Sequence, residues 1–293
     1  MREAWGTHTE YEVHYTTEAY TAANARHPWR NDDAYFATET GLVGVCDGLG
    51  SYEGSDKASQ LVADFCVHVL ADAPVVLPPD KAEDLMATTL VEANHALEEI
   101  YAAHDRICTT AAIAKVYQNP DTGRPFVCIA HAGDSRIYVI GGRRQKGVTV
   151  DHNGATMDED DAMRANIQQA ISTARYEHEI DISYRGYLPW RNYVGSCLSN
   201  KPTRELRVDT LTVDVQSGDT ILAVSDGICD NLTDHEIVAL INAGNASLLI
   251  ERAQKRSSEA KDEIYPIVNG REVESYNFRP NPDDMTVAVL HIS

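Results

Sequence analysis

The chain has 293 residues, of which 43% are apolar, and its 45 acidic side chains against 25 basic ones give a formal charge of −20. The charge argues against nucleic acid and anionic membranes as partners, because their phosphates would be repelled over most of the surface; the apolar share supports a buried core and excludes disorder as the main state. No stretch approaches the roughly 20 uninterrupted apolar residues of a membrane span, and the opening Met1-Arg2-Glu3-Ala4-Trp5 has no apolar run of a secretory signal, so a cytoplasmic protein is expected.

Residues 10–18, rich in Tyr, Val and Thr in loose alternation, read as an opening strand. Leu42 to Cys46 is a short apolar run stopped at Asp47-Gly48, again a strand. Ala58, Leu61, Val62, Phe65, Cys66 and Val69 then recur at three- and four-residue steps, which predicts an amphipathic helix ending near Ala73-Pro74. A second helix fits 80–104, with Leu85, Thr89, Ala93, Leu97 and Ile100 on one side. Strands follow at Thr110–Val116, Phe126–His131 and Ile137–Ile140, the last two joined through Gly133-Asp134 in the manner of a hairpin. From about 153 to 200 the pattern is irregular, with a helix possible over 159–176. Strands return at Val208–Val215, Thr220–Val224 and Thr286–His291. A helix is expected over Asp234–Ile241, with Thr233 or Asp234 near its N-cap, and another over 246–263. Strands grouped around two long helices without regular βαβ alternation predict an α+β layered fold in a single domain, residues 1–293, with insertions near 154–200 and 257–280. None of the six cysteines has the two-residue spacing of a zinc or redox motif, and reduced thiols are expected.

Three acidic motifs follow or open strands: Val45-Cys46-Asp47-Gly48, Val224-Ser225-Asp226-Gly227 and Pro282-Asp283-Asp284-Met285-Thr286. Each alone reads as a turn, since Asp-Gly accepts positive φ. Together, spread over the chain at strand ends, they can converge. Two unit charges 4 Å apart repel by roughly 4 kcal/mol at an effective dielectric of 20, so several such acids in one place require cations. Oxygen-only ligands without a His or Cys cluster indicate Mg²⁺ or Mn²⁺ rather than zinc.

The pieces Asn31-Asp32-Asp33-Ala34, Val45-Cys46-Asp47-Gly48-Leu49-Gly50, Cys108-Thr109-Thr110, Ala132-Gly133-Asp134-Ser135-Arg136-Ile137-Tyr138, Asp151-His152-Asn153, the run from Ser217 to Gly227 and Asp283-Asp284-Met285-Thr286 occur in that order. In this ordered set the chain resembles the type 2C serine/threonine protein phosphatases over about residues 10–291. The resemblance implies a β-sandwich of two antiparallel sheets flanked by helices on both sides, in four α-β-β-α layers, with the metals at one end. It implies that Asp47 bridges two divalent cations, Mn²⁺ or Mg²⁺, that Gly48 offers its carbonyl to the second, and that Asp226 and Asp283 complete the first. Asp32 and Asp33 match an acidic pair that touches the second metal through waters. Asp134 matches a position that, with Asp226, holds a loosely bound third ion, and it reads equally well as part of a plain turn. Asp284 stands where many members carry Asn and is expected to support the ligands from behind.

The family's phosphate-gripping Arg would fall at Pro28 here. Arg26 and Arg30 flank it, and each is a candidate or a plain surface residue. Arg136 reads as a structural partner of the Gly-Asp-Ser turn, and His152 as a structural His rather than a general acid. The Leu49-Gly50-Ser51 continuation lacks the His of animal and plant members and is bacterial-like. Residues 154–200 stand where the family has a mobile flap, whose Tyr184, Arg185, Tyr187 and Trp190 either contact substrate or pack locally. The implied reaction is attack of a metal-activated water on phosphoserine or phosphothreonine without a phosphoenzyme. Expected partners are phosphorylated proteins, a Ser/Thr kinase or its targets, and the chain is expected to be a monomer. A catalytically weak relative acting as a binding or regulatory module, and a hydrolase of small phosphorylated metabolites, are the alternative readings.

Overall fold

The computed structural model describes residues 13–50, 52–142 and 144–293. In chain order come β1 (Tyr15–Ala22), β2 (Asp33–Ala37), β3 (Leu42–Asp47), α1 (Ser55–Leu70) and α2 (Pro79–Ile100). Next are β4 (Cys108–Thr109), β5 (Ala111–Gln118), β6 (Pro125–Ala132), β7 (Arg136–Gly141), β8 (Arg144–Val148) and α3 (Asp161–Thr173). Then follow β9 (Leu198–Ser199), β10 (Asp209–Asp214), β11 (Thr220–Val224), α4 (Asp226–Cys229), α5 (Asp234–Asn242) and α6 (Ser247–Ser257). Four very short strands, β12 (Glu263–Ile264), β13 (Ile267–Val268), β14 (Arg271–Glu272) and β15 (Ser275–Tyr276), precede β16 (Met285–Ile292).

Two five-stranded antiparallel sheets carry the fold, one in the order β1-β16-β11-β7-β8 and the other β10-β6-β5-β3-β2. Strands covered on both faces read as continuous apolar runs instead of alternating ones, yet side chains still alternate between two cores. On β3 and β5, Val43, Val45, Ala112, Ala114 and Val116 point between the sheets and meet Ile137, Val139, Ile221, Ala223, Ala288 and Leu290. The opposite faces, with Leu42, Cys46, Ile113 and Tyr117, pack on α1 and α2 through Val62, Cys66, Met86 and Leu90. On the far side Leu222, Val224, Val287 and Val289 pack on α5 and α6 through Ile237, Ile241, Leu249 and Ala253. The layers are therefore helix, sheet, sheet, helix, as the resemblance implied. Each buried Leu, Ile or Val contributes roughly 1.5–3 kcal/mol, so the intersheet core holds the strand ends in fixed relation.

Several boundaries differ from the sequence expectations. The opening strand spans Tyr15–Ala22, and residues 10–12 of that expectation lie outside the described residues. The last long helix stops at Ser257 rather than 263, and α2 at Ile100. The Gly133-Asp134 connection is not a hairpin: β6 and β7 lie in different sheets, so this turn crosses between layers. Gly133 takes φ 111°, and a β-carbon there would sit 2.6 Å from the Thr110 side chain, which glycine alone accommodates. Segment 154–200 builds its own small core from Ala155, Ile167, Ile171, Ala174, Ile180 and Leu188, closed by Phe278.

Candidate metal centre

The alternation that builds the intersheet core also delivers the acids. Asp47 follows Val43 and Val45 at two-residue steps, and the β2–β3 register sets Asp33 directly opposite it; both stand at the open end of the space between the sheets. From the other sheet, β11 is followed by Ser225, whose hydroxyl donates to Asp33 Oδ2 at 2.9 Å and accepts from the Thr286 amide at 2.9 Å. Asp226 opens α4 immediately after it, and Asp283 precedes β16. Two glycines allow this closeness. A β-carbon at Gly48 would lie 2.6 Å from the Asp32 and Ser55 carbonyl oxygens, and one at Gly227 would overlap the Asp284 carbonyl oxygen. The bonds Leu49 N to Cys108 O (2.9 Å) and Thr110 N to Asp47 O (2.8 Å) pass on either side of Gly48.

The electrostatics are those of an anion cluster short of countercharge. Burial first, then repulsion from Asp33, Asp226, Asp283 and Asp134, pushes Asp47 well above the usual carboxylate range. Asp226 rises through burial and then Asp283, Asp230 and Asp134, and Asp134 through burial and then Asp151 and Asp230. Burial raises Asp33 to about 7 and Asp283 to about 6. Asp33 Oδ1, Asp134 Oδ1 and Asp226 Oδ1 are buried and accept no hydrogen bond from the described residues. Buried, repelling carboxylates with orphaned oxygens are what oxygen-ligated divalent cations relieve, and the donor set fits Mn²⁺ or Mg²⁺.

Of the residues expected from the sequence, Asp33, Asp47, Gly48, Asp134, Asp226 and Asp283 converge. Asp32 differs from Asp33: its Oδ1 accepts from Arg30 Nε at 2.6 Å, so the acidic pair is split between the cluster and an ion pair. Arg30 also donates to the Tyr52 carbonyl at 3.3 Å. The Arg26 amide bonds the Asn24 side chain in a local turn. Asp284 accepts from the Asn24 and Asp32 amides, both at 2.6 Å, and so fastens the loop carrying Arg30 to the β16 turn. Arg136 is structural, but its partner is Asp151, gripped through Nε and NH2 at 2.7 Å each, and not the Gly-Asp-Ser turn. Tyr187 bonds Glu159 and Arg185 bonds the His178 and Ile180 carbonyls, a local packing role, whereas Trp190 is exposed.

Asp230 escaped the sequence reading. It lies four residues after Asp226, one helical turn along α4, and its charge raises Asp226, Asp134 and Asp283. Its own partners are Arg191 NH1 at 2.9 Å and Asn281 Nδ2 at 3.0 Å, so segment 154–200 is tied to the acidic centre through one buried arginine. The spacing Asp226-Gly-x-x-Asp230 was the available signal.

His131, His152 and Asp209 form a second grouping with ligand atoms all within 4.8 Å. His131 Nδ1 has no hydrogen-bond partner among the described residues, but the carboxylate of the grouping is fully engaged. Asp209 accepts from His152 Nε2 (3.0 Å), from both terminal nitrogens of Arg164 (3.0 Å) and from Arg207 Nε (2.9 Å). Two guanidinium groups already neutralise the only carboxylate, and a further dication beside them would be repelled. The His152 ring is held between the Gly133 amide and Asp209. A cavity of about 730 Å³ beside α1 reaches the acidic centre at Asp33, and another of about 640 Å³ lies away from it between α3 and α5. Among the described residues no helix is long and apolar enough to cross a membrane.

The protein phosphatase 2C profile matches residues 23–262. The serine/threonine phosphatase stp of Listeria monocytogenes is 23% identical over 206 residues, 69% of this chain and 72% of that protein. Among solved structures, Stp1 from Staphylococcus aureus superposes with a TM-score of 0.69 at 21% identity, covering 99% of this chain and 100% of that one. The catalytic domain of the serine/threonine phosphatase PstP, in complex with two manganese ions, gives 0.63 at 20% identity, covering 96% and 98%. The chain thus belongs to the protein phosphatase 2C family, and the activity that goes with that family, metal-dependent dephosphorylation of serine and threonine in proteins, is its activity.

Proposed function

We propose that the reaction runs at the end of the β-sandwich, in a carboxylate centre that holds two divalent cations, Mn²⁺ or Mg²⁺, with no covalent phosphoenzyme. Asp47 with the Gly48 carbonyl, Asp226 and Asp283 hold the pair. Asp33 supports the second cation, and Asp134 with Asp226 provides for a loosely held third. When bound, the cations supply an activated water and neutralise phosphoryl oxygens. The chain's own part is geometric: the paired strand ends fix the carboxylates before substrate arrives, so no reorganisation is needed during the reaction. Arg30, held by Asp32 and the Tyr52 carbonyl, is the first candidate to grip the substrate phosphate, and Arg26 the second.

The observation that carries this reading is the trio of orphaned buried oxygens on Asp33, Asp134 and Asp226. The same reading takes the chain as one catalytic domain, monomeric and cytoplasmic, with residues 154–200 as a flap anchored by Arg191 to Asp230 and residues 257–280 as a second insertion. Its substrates are phosphorylated proteins, including a Ser/Thr kinase or that kinase's targets. Asp226→Asn, assayed on a phosphopeptide with Mn²⁺, should lower turnover by at least about a hundredfold. Unchanged turnover would sink the assignment.

A further inference from the structure

Cys108 and Cys197 meet across the β4–β9 ladder. The register pairs Cys108 with Ser199 and Thr109 with Leu198. Cys197 therefore stands one residue before β9, diagonal to Cys108, and the two thiols are within hydrogen-bonding reach. Cys108 is buried, with its sulfur 3.3 Å from Ser199 Oγ, while Cys197 is partly exposed. Cys197 lines a cavity of about 360 Å³ together with Arg106, Trp190 and Tyr193. The Arg106 guanidinium sits beside both sulfurs and rests 5.2 Å over the Tyr52 ring. Cys46 and Cys66 are also near one another, but both are fully buried. Of the two neighbouring pairs, then, only Cys108 and Cys197 combine mutual reach, a nearby cation and a route in from solvent.

We propose that Cys108 and Cys197 close a reversible disulfide in response to hydroperoxides, and that this bond lowers activity by shifting the strand that holds the Asp47-Gly48 turn. The Cys108 thiol loses its proton, and its thiolate attacks the O–O bond of a peroxide admitted through the cavity that Cys197 and Arg106 line. That bond breaks to give a sulfenic acid and hydroxide, which takes up a proton and leaves as water. The Cys197 sulfur then attacks the sulfenic sulfur: S–S forms, S–O breaks, and with the Cys197 thiol proton a second water leaves. Two thiols are thereby oxidised by two electrons while one peroxide is reduced to two waters. Cation proximity and thiol pairing favour the nucleophilic form of Cys108, whereas the same pairing holds the proton on Cys197. The Cys197 hydrogen bond, helped by Ser199 and Arg106, pulls Cys108 down to about 6.

The diagonal of an antiparallel ladder spans roughly 7–8 Å between Cα atoms, whereas disulfides accept up to about 6.8 Å. Closure must therefore draw the chain at residue 197 toward β4 by about an ångström. On β4 the Cys108 carbonyl accepts from Leu49 N at 2.9 Å, and next to it Thr109 Oγ1 donates to the Asp47 carbonyl at 3.0 Å. The strain lands on the turn beneath the metal centre and on the C-terminal root of the 154–200 segment.

The test treats the full chain with hydrogen peroxide, alkylates remaining thiols and maps peptides without reduction, alongside phosphopeptide turnover with Mn²⁺. Expected are linked peptides containing residues 108 and 197, turnover reduced severalfold and restored by dithiothreitol, and a Cys197→Ser variant that is active and resists peroxide. Separate, alkylated Cys108 and Cys197 in the treated wild-type chain would overturn the proposal, as would a Cys197→Ser variant as peroxide-sensitive as the wild type. The turnover arm rests on the phosphatase reading; the peptide map does not, and it needs no variant to fold. Absence of turnover in the reduced wild type would count against that reading while leaving the map to decide on the disulfide.

Discussion

Removing the cations at different pH should expose how the carboxylate centre is built. Asp33 at about 7 and Asp283 at about 6 are raised from the ordinary value of 3.8 by burial, with further charge from their neighbours. A raised acid binds more protons folded than unfolded, so its contribution favours the metal-free fold at low pH and is lost as pH climbs from about 4 through 7. Cations reverse this, because they bind the deprotonated forms. At pH 5 they must displace one proton held about two units below its pKa and another held about one unit below. Apparent affinity should then be roughly a thousandfold weaker than at pH 8, about 4 kcal/mol. At a Mn²⁺ concentration about a hundred times Kd at pH 8, binding adds about 2.7 kcal/mol, or about 5–11 °C in Tm at about 2–4 °C per kcal/mol. At pH 5 the same Mn²⁺ falls below Kd and the gain should vanish. The assay is thermal unfolding with Mn²⁺ against EDTA across pH 5–8, read as the difference between the two curves. The difference matters because His131 and His152, pushed down by burial, titrate against the fold in the same window whether or not metal is present. A Mn²⁺-induced shift equal at pH 5 and pH 8 would refute the reasoning, since no protonated carboxylate would then be competing.

Three further outcomes are expected. Gly227→Ala forces a methyl into the Asp284 carbonyl and should cost about 1–3 kcal/mol by denaturant midpoint, with Mn²⁺ affinity weakened because α4 carries Asp226. Asp209→Asn should lower stability by about 2–3 kcal/mol, since the buried Arg164 loses its partner; Zn²⁺ should give the wild type no thermal shift attributable to that grouping. Arg30→Ala should raise KM for a phosphopeptide about tenfold or more, the value of a charged hydrogen bond, while Arg26→Ala leaves KM unchanged; the reverse ranking would move the phosphate contact to Arg26.

The long, doubly covered strands and the two helices facing them were legible because burial on both sides leaves uninterrupted apolar runs such as Leu42–Cys46 and Thr220–Val224. What the sequence hid is tertiary in origin. β8, Arg-Gln-Lys-Gly-Val, carries no apolar period, and it is a strand because β7 offers it an edge. β2 is five residues, too short for alternation to stand out from the acidic pair before it. The Gly133-Asp134 turn looked like a hairpin because local φ preferences are the same whether the next strand pairs or crosses to another sheet. At the centre, strand-end acids were readable from their motifs. Asp230 offered only its four-residue spacing from Asp226, and one turn of helix is too short for that spacing to stand out as a pattern. The fates of Asp32 and Arg30 depended on each other, through a bond that spacing alone does not reveal.

The direct opposition of Asp33 and Asp47 across β2 and β3 has a consequence for how this centre can vary. Because side chains change face with every residue, sliding β3 by one position would aim Asp47 at α1 and turn Val43 and Val45 away from the opposing sheet. The spacing of the two acids is therefore gauged by the same interlock that keeps the sandwich dry. Sequence drift can reshape the loops around the centre, but it cannot loosen this pair without unpacking the protein's interior.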